Sequence, residues 1–135
     1  MFPNFFRNLP IGHLVHGFNG KDVCFKSFVP NTFFQLALCL ARIDRLNPEI
    51  NAVVTVDRDG AMARAAAADE ALARGDDWGP LHGVPMTVKE SYDVVGMPTT
   101  WGAPELKDNR PSRNALAVDR LVGAGVVLFG KSNVP

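Results

Sequence analysis

The sequence predicts an α/β fold, a mixed sheet flanked by helices, from three observations. Residues 84–89 alternate at period two, with Val84, Met86 and Val88 on one face and Pro85, Thr87 and Lys89 on the other, which reads as a strand. Residues 126–129, Val-Val-Leu-Phe, are wholly apolar, as in a buried central strand. Between them, residues 115–122 carry helical spacing. Strand, helix and strand in that order suggest a parallel crossover unit.

The bulk properties are those of one small globular domain. The chain has 135 residues, 47% hydrophobic and 21% charged, a balance that excludes disorder. Fourteen basic and 14 acidic side chains give a formal net charge of +0, so there is no electrostatic case for nucleic acid or an anionic membrane as partner. No apolar run approaches the ~20 residues of a membrane span. The first ten residues mix one arginine with Asn and Pro and do not read as a signal peptide. Cys24 and Cys39 are too few for a disulfide framework. They are expected to be reduced, mostly buried thiols of a cytoplasmic protein.

Taken in order, residues 1–32 form an irregular N-terminal segment. Phe2, Phe5, Phe6, Phe18, Phe25 and Phe28 follow no period. His13 and His16 stand three apart, but glycines flank them and no other ligand-type cluster lies near, so no metal site is expected. Residues 33–46 predict a helix with Phe33, Leu36, Ala37, Leu40 and Ile43 on one face. Asn31 and Thr32 can cap it, and Pro48 is expected to end it. Residues 51–56 are β-branched and extended. Asp57 or Asp59 then caps an alanine-rich helix over 60–74, closed by Gly75, with Ala61, Ala65, Ala68 and Leu72 as a narrow packing face. Asp76 and Asp77 read as a solvated pair. Residues 96–102 are turn-rich, with Trp101 covering the core or lining a pocket. Asn114 is expected to cap the helix at 115–122, which turns Leu116, Val118, Leu121 and Val122 inward.

Lys89 at the strand's end admits two readings. It is a side chain reaching for water, or an amine held in a dry site as a base. Ser91, two residues on, would point in parallel with it along a strand, a poor geometry for proton transfer. A second stretch, Gly125 to Ser132, fits the phosphate-loop pattern G-x-x-x-x-G-K-[ST] letter for letter. Its middle residues are strand formers whose N–H groups would be committed to a sheet rather than wrapped around phosphate. Nucleotide binding is therefore not expected.

Several separated words decide between the readings of Lys89. Gly83-Val84-Pro85-Met86-Thr87-Val88-Lys89-Glu90 is followed by Asp93-Val94-Val95-Gly96 and by Pro98-Thr99-Thr100. Asn47 to Ala52 precede them; Arg120-Leu121, Ala124-Gly125 and Gly130-Lys131-Ser132-Asn133 come after. In this order they resemble the amidase-signature family over residues 41–135. The resemblance implies the N-terminal part of that family's fold, truncated at the C-terminus, with the domain beginning at residue 33. It implies amide hydrolysis through a Ser, cis-Ser, Lys triad, with Lys89 as the catalytic lysine, a small-molecule amide as substrate, and no metal or organic cofactor. The amidase-type component of a tRNA-dependent amidotransferase shares the same words, and a non-catalytic remnant is the rival from another class. The family's Gly/Ser-rich stretch with both serines does not occur before Pro135, so the chain alone is expected to be inactive. Exposed sheet edges would favour self-association.

Overall fold

The computed structural model describes residues 31–135. The irregular segment expected over residues 1–32, with His13, His16 and Cys24, lies outside them apart from Asn31 and Thr32. Those two begin the first helix, α1 (Thr32–Ile50). Its opening N–H groups are all satisfied: Phe34 N–H donates to the Asn31 side chain at 2.9 Å. Thr32 and Phe33 N–H donate to the Asp69 carboxylate at 2.7 and 3.0 Å. That carboxylate comes from the next helix, so a tertiary contact completes a local cap.

Pro48 does not end α1 as expected; the helix continues to Ile50. A proline in the last turn removes one donor and leaves the rest of the turn intact. Asn51 closes it from the left-handed region (φ 50°), its N–H donating to Asn47 O at 2.7 Å. The Asn47 side chain in turn bonds both the N–H (2.9 Å) and the C=O (2.8 Å) of Val53, fixing the entry to β1 (Val53–Val56).

Helix α2 (Arg58–Ala73) is capped by Asp57, whose side chain accepts from Gly60 N–H at 3.1 Å. Ala61, Ala65, Ala68 and Ala71 are its buried face, so α1 packs close. Leu72, expected on that face, is exposed instead. Strand β2 (Pro85–Lys89) starts on its proline, where no ladder N–H is lost. A 3₁₀ turn (Pro104–Leu106), helix α3 (Leu116–Gly123) and strand β3 (Val127–Ser132) follow.

The sheet order is β1-β3-β2, with β3 central, antiparallel to β1 and parallel to β2. The parallel crossover through α3 is thus formed. Val127 and Phe129 join Leu36, Leu40, Ala61 and Ala65 in a core beneath α1 and α2. Leu128 turns the other way, onto Val88, Val94, Met97 and Val118 beneath α3. Helices cover both faces, as a parallel pair requires.

α3 departs from expectation at its start. Asn114 does not cap it; Ala115 holds that position, without a side-chain bond. The Asn114 amide instead accepts from Val95 N–H at 2.7 Å and donates to Asp119 at 2.9 Å, tying the helix to the preceding loop. Leu116, expected inward, is 66% exposed, whereas Val118 is 1% exposed. At the helix's end the Arg64 guanidinium donates to Val122 O and Val126 O, at 3.1 and 2.9 Å, and lies over the Trp78 ring. Next to it, Trp78 N–H donates to His82 Nδ1 at 2.9 Å. The ring proton is thereby assigned to Nε2, which faces Ala68 O at 2.9 Å. Cys39, expected to be buried, is exposed on α1. No helix among the described residues is long and apolar enough to cross a membrane.

Two irregularities shape β3. Opposite β2, Met86 pairs with Leu128 and Thr87 with Gly130, leaving Phe129 as an extra residue. Opposite β1, a side chain at Gly130 would meet Thr55 O at 2.4 Å, so only glycine fits there. Gly130→Ala is expected to destabilise the fold by about 1–3 kcal/mol, the usual cost of overpacking. Gly123→Ala, in a helix with no heavy atom within 4 Å of the added methyl, should be neutral or gain about 0.4–1 kcal/mol. Paired denaturant melts measure the contrast.

Candidate active site at the end of strand β2

The family-type lysine and its neighbours come together where β2 runs into a turn. The backbone there is pinned from two sides. Val88 pairs with Lys131 and Lys89 with Ser132 in the ladder, and Glu90 N–H donates to Ser132 O at 2.8 Å. Tyr92 N–H then closes a turn on Lys89 O at 3.0 Å. Ser91 therefore sits in a turn, not along the strand as its position suggests.

Lys89 is exposed, and its amine makes no hydrogen bond or ion pair with a described residue. The dry cleft expected around it is not built by residues 31–135. Among the described residues β2 is an edge strand with a neighbour on one side only, and no described element covers the end that bears Lys89. The strand itself is formed and paired.

The lysine withdrawn from water is Lys131. It is fully buried, and its Nζ donates to Pro98 O at 2.6 Å and to Thr99 Oγ1 at 2.7 Å. Burial pushes this amine below the usual lysine range, while the charges of Glu90 and Asp93 act in the opposite direction. Glu90, 4% exposed, accepts from Thr100 N–H and, at 2.9 Å, from Trp101 N–H. Burial pushes its carboxyl up. The hydrogen bonds from the Thr100 and Trp101 backbone and the Thr100 side chain outweigh that and, with the Lys131 charge, leave it below the ordinary glutamate range.

The turn so gripped is strained. Trp101 has φ 55°, a left-handed conformation that costs a bulky residue on the order of 1–3 kcal/mol. Its indole is 65% exposed and does not cover the core, one of the two roles its position suggests. On the same turn lies a shallow depression of about 290 Å³ lined by Pro98, Thr100, Gly102, Ala103, Pro104 and Lys107. The phosphate-loop look-alike is strand for most of its length: Val127 N–H donates to Val84 O at 2.9 Å, and Lys131 points inward. Among the described residues no group of three or more His, Cys, Asp or Glu side chains is placed to hold a metal.

Sequence reasoning does not find Glu90, Thr99 and Lys131 as a unit. The available signal is a lysine closing an otherwise apolar strand, where a charge needs internal partners.

Both shifts make stability rise with pH. The folded Glu90 carboxyl binds its proton less readily than in the unfolded chain, so its contribution is present above the ordinary range and fades as pH falls through the lowered value. The folded Lys131 also binds fewer protons than the unfolded chain, so stability climbs with pH between its lowered value and the ordinary lysine range. Melting temperature against pH should lose its acid slope in Glu90→Gln and its alkaline rise in Lys131→Met.

Comparison with known proteins fits this geometry. The Amidase family model matches residues 35–135. An acylamidase from Rhodococcus erythropolis is 45% identical over 96 residues, covering 71% of this chain and 20% of the relative. A glutamyl-tRNA(Gln) amidotransferase subunit from Chloroflexus aurantiacus is 45% identical over 95 residues, covering 70% of this chain and 20% of the relative. The crystal structure of the peptide amidase from Stenotrophomonas maltophilia superposes with a TM-score of 0.74 at 32% identity, over 82% of this chain and 23% of that one. The chain thus spans about a fifth of the length of the curated relatives it matches. With most of its length matched by the family model and its sheet and helices superposing on a family structure, the chain belongs to the amidase family.

Proposed function

We propose that this chain carries the lysine arm of an amide hydrolase acting on a small-molecule amide, with Lys89 as its catalytic lysine. The observation that supports this most is positional. Lys89 ends a paired strand, its backbone is pinned on two sides, and its amine is uncommitted. Lys131, the other lysine in the family words, is enclosed and already donates to two acceptors, so it cannot reach a substrate.

The chemistry is a proton relay. A lysine amine stripped of water favours its neutral form and can accept a proton. It takes that proton from a bridging serine, which takes one from the nucleophilic serine. The serine oxygen attacks the amide carbon, and backbone N–H groups hold the oxyanion. The C–N bond breaks as the relay returns a proton to the leaving amine, and water then hydrolyses the acyl-enzyme. Both serines are supplied by polypeptide outside these 135 residues, and its closure over the strand end removes Lys89 from solvent. No metal or organic cofactor takes part. The work is done in the cytoplasm.

The amidotransferase reading is kept because the Chloroflexus protein matches as well as the acylamidase does. Transfer of the released ammonia to an aminoacyl-tRNA, rather than its loss to water, would select it.

The 135-residue polypeptide alone is expected to show no turnover of simple amides. Turnover by it that vanishes in Lys89→Ala would overturn the proposed division of the triad. In a polypeptide extended through the serines, Lys89→Ala should lower kcat by about 10²–10⁴-fold, the usual worth of a positioned proton-transfer group. Unchanged kcat would remove Lys89 from the chemistry.

A further inference from the structure

We propose that Lys131 is a positioning residue: with Thr99 and Glu90 it forms a buried clasp that locks the 98–101 turn onto the strand end bearing Lys89.

The clasp is a closed circuit. Lys131 is held by its backbone opposite Val88, one residue before Lys89. Its amine crosses to the turn and donates to Pro98 O and Thr99 Oγ1. The turn then gives the N–H groups of Thr100 and Trp101 to the Glu90 carboxylate. Glu90 directly follows Lys89 and returns to β3 through its own N–H to Ser132 O. Thr99 is also tied across the loop: its N–H donates to Asn109 O at 3.1 Å and its C=O accepts from the Asn109 amide at 2.7 Å. Every buried side-chain polar atom among the described residues has at least one hydrogen-bond partner, those of the clasp included.

Two features say that the clasp serves the turn rather than the core. An apolar side chain beside Val88 and Leu128 would extend the hydrophobic cluster there without the desolvation that a lysine carries. Secondly, what is gripped is an unfavourable conformation. The left-handed Trp101 backbone and the exposed indole persist only if surrounding contacts over-determine them. The geometry thereby holds the Thr100–Trp101 backbone, and with it the depression beside Pro98 and Thr100, against the residue that follows Lys89. What that relation does for amide hydrolysis rests on the function proposed above; the clasp itself does not.

The test uses the 135-residue chain and needs no activity, so it separates failure of the clasp from failure of the hydrolase reading. Amide hydrogen exchange is followed residue by residue in wild type, Lys131→Met, Thr99→Val and Glu90→Gln. Loss of protection at Thr100 and Trp101 that exceeds the loss at Leu36, Leu40 and Ala65 by about tenfold or more, as for lost hydrogen bonds to a charged group, is the expected result in each variant. Equal loss everywhere, the mark of a role in global stability alone, would overturn the proposal, and so would unchanged protection at the turn. If Lys131→Met does not fold, the two milder variants decide by the same criterion. In the unmodified chain, an amine-acylating reagent should label Lys89 and spare Lys131 by about a hundredfold or more; equal labelling of the folded chain would also overturn it.

Discussion

Gly130 lies so close to the carbonyl of Thr55 that no side chain can stand between them. Much of the described architecture follows from that approach. It lets β1 and β3 pair tightly where β3 also takes up an extra residue opposite β2. Without the extra residue, period-two alternation would send position 131 to the same face as Val127 and Phe129, into the apolar layer under α1 and α2. The bulge reverses the parity, and Lys131 emerges beside Val88, under the 98–101 turn. The extra residue at Phe129 thus decides whether a lysine is buried among alkyl groups or among acceptors.

The balance of charge at this point is local. Glu90 and Lys131 are both nearly or fully buried, yet neither depends on direct contact with the other for its hydrogen bonds. Each is satisfied by groups of the same turn, and the two act on one another through space. Buried charges arranged this way add little net stability compared with a hydrophobic substitute, but removing one leaves the other buried without its counter-charge. They therefore serve geometry more than stability, in keeping with the strained Trp101 they hold.

Much of the fold can be read directly from residue order. Alternation at 84–89 and the apolar run from Val126 mark β2 and most of β3, and the alanine-rich stretch marks α2, because each is a periodic signal carried by many residues. Single-residue signals fare less well. Pro48 signals a helix end, but a proline in a final turn disturbs only one donor. Asn114 has the chemistry of a cap, but its amide finds better partners in Val95 and Asp119. Spacing alone puts Leu116 in the core, and the helix phase turns it outward. At the site, Lys89 is legible as a strand-end lysine because the family words surround it. Its surroundings are not legible, since burial depends on which elements pack over the end of β2. The clasp is hidden in the sequence because its members are far apart in the chain: Lys131 reaches Thr99 across 32 positions, and only the bulge brings them together.

The strand order carries a consequence for how the segment is made. β3 is the middle strand in space and the last in sequence. During vectorial synthesis β1 and β2 emerge first and have no neighbour to pair with in this sheet until residues 127–132 leave the ribosome. The helices can form as they appear, but both apolar layers stay open over that interval, and long-range pairing of this kind is slow. Assembly of the described sheet during synthesis therefore waits on residues 127–132.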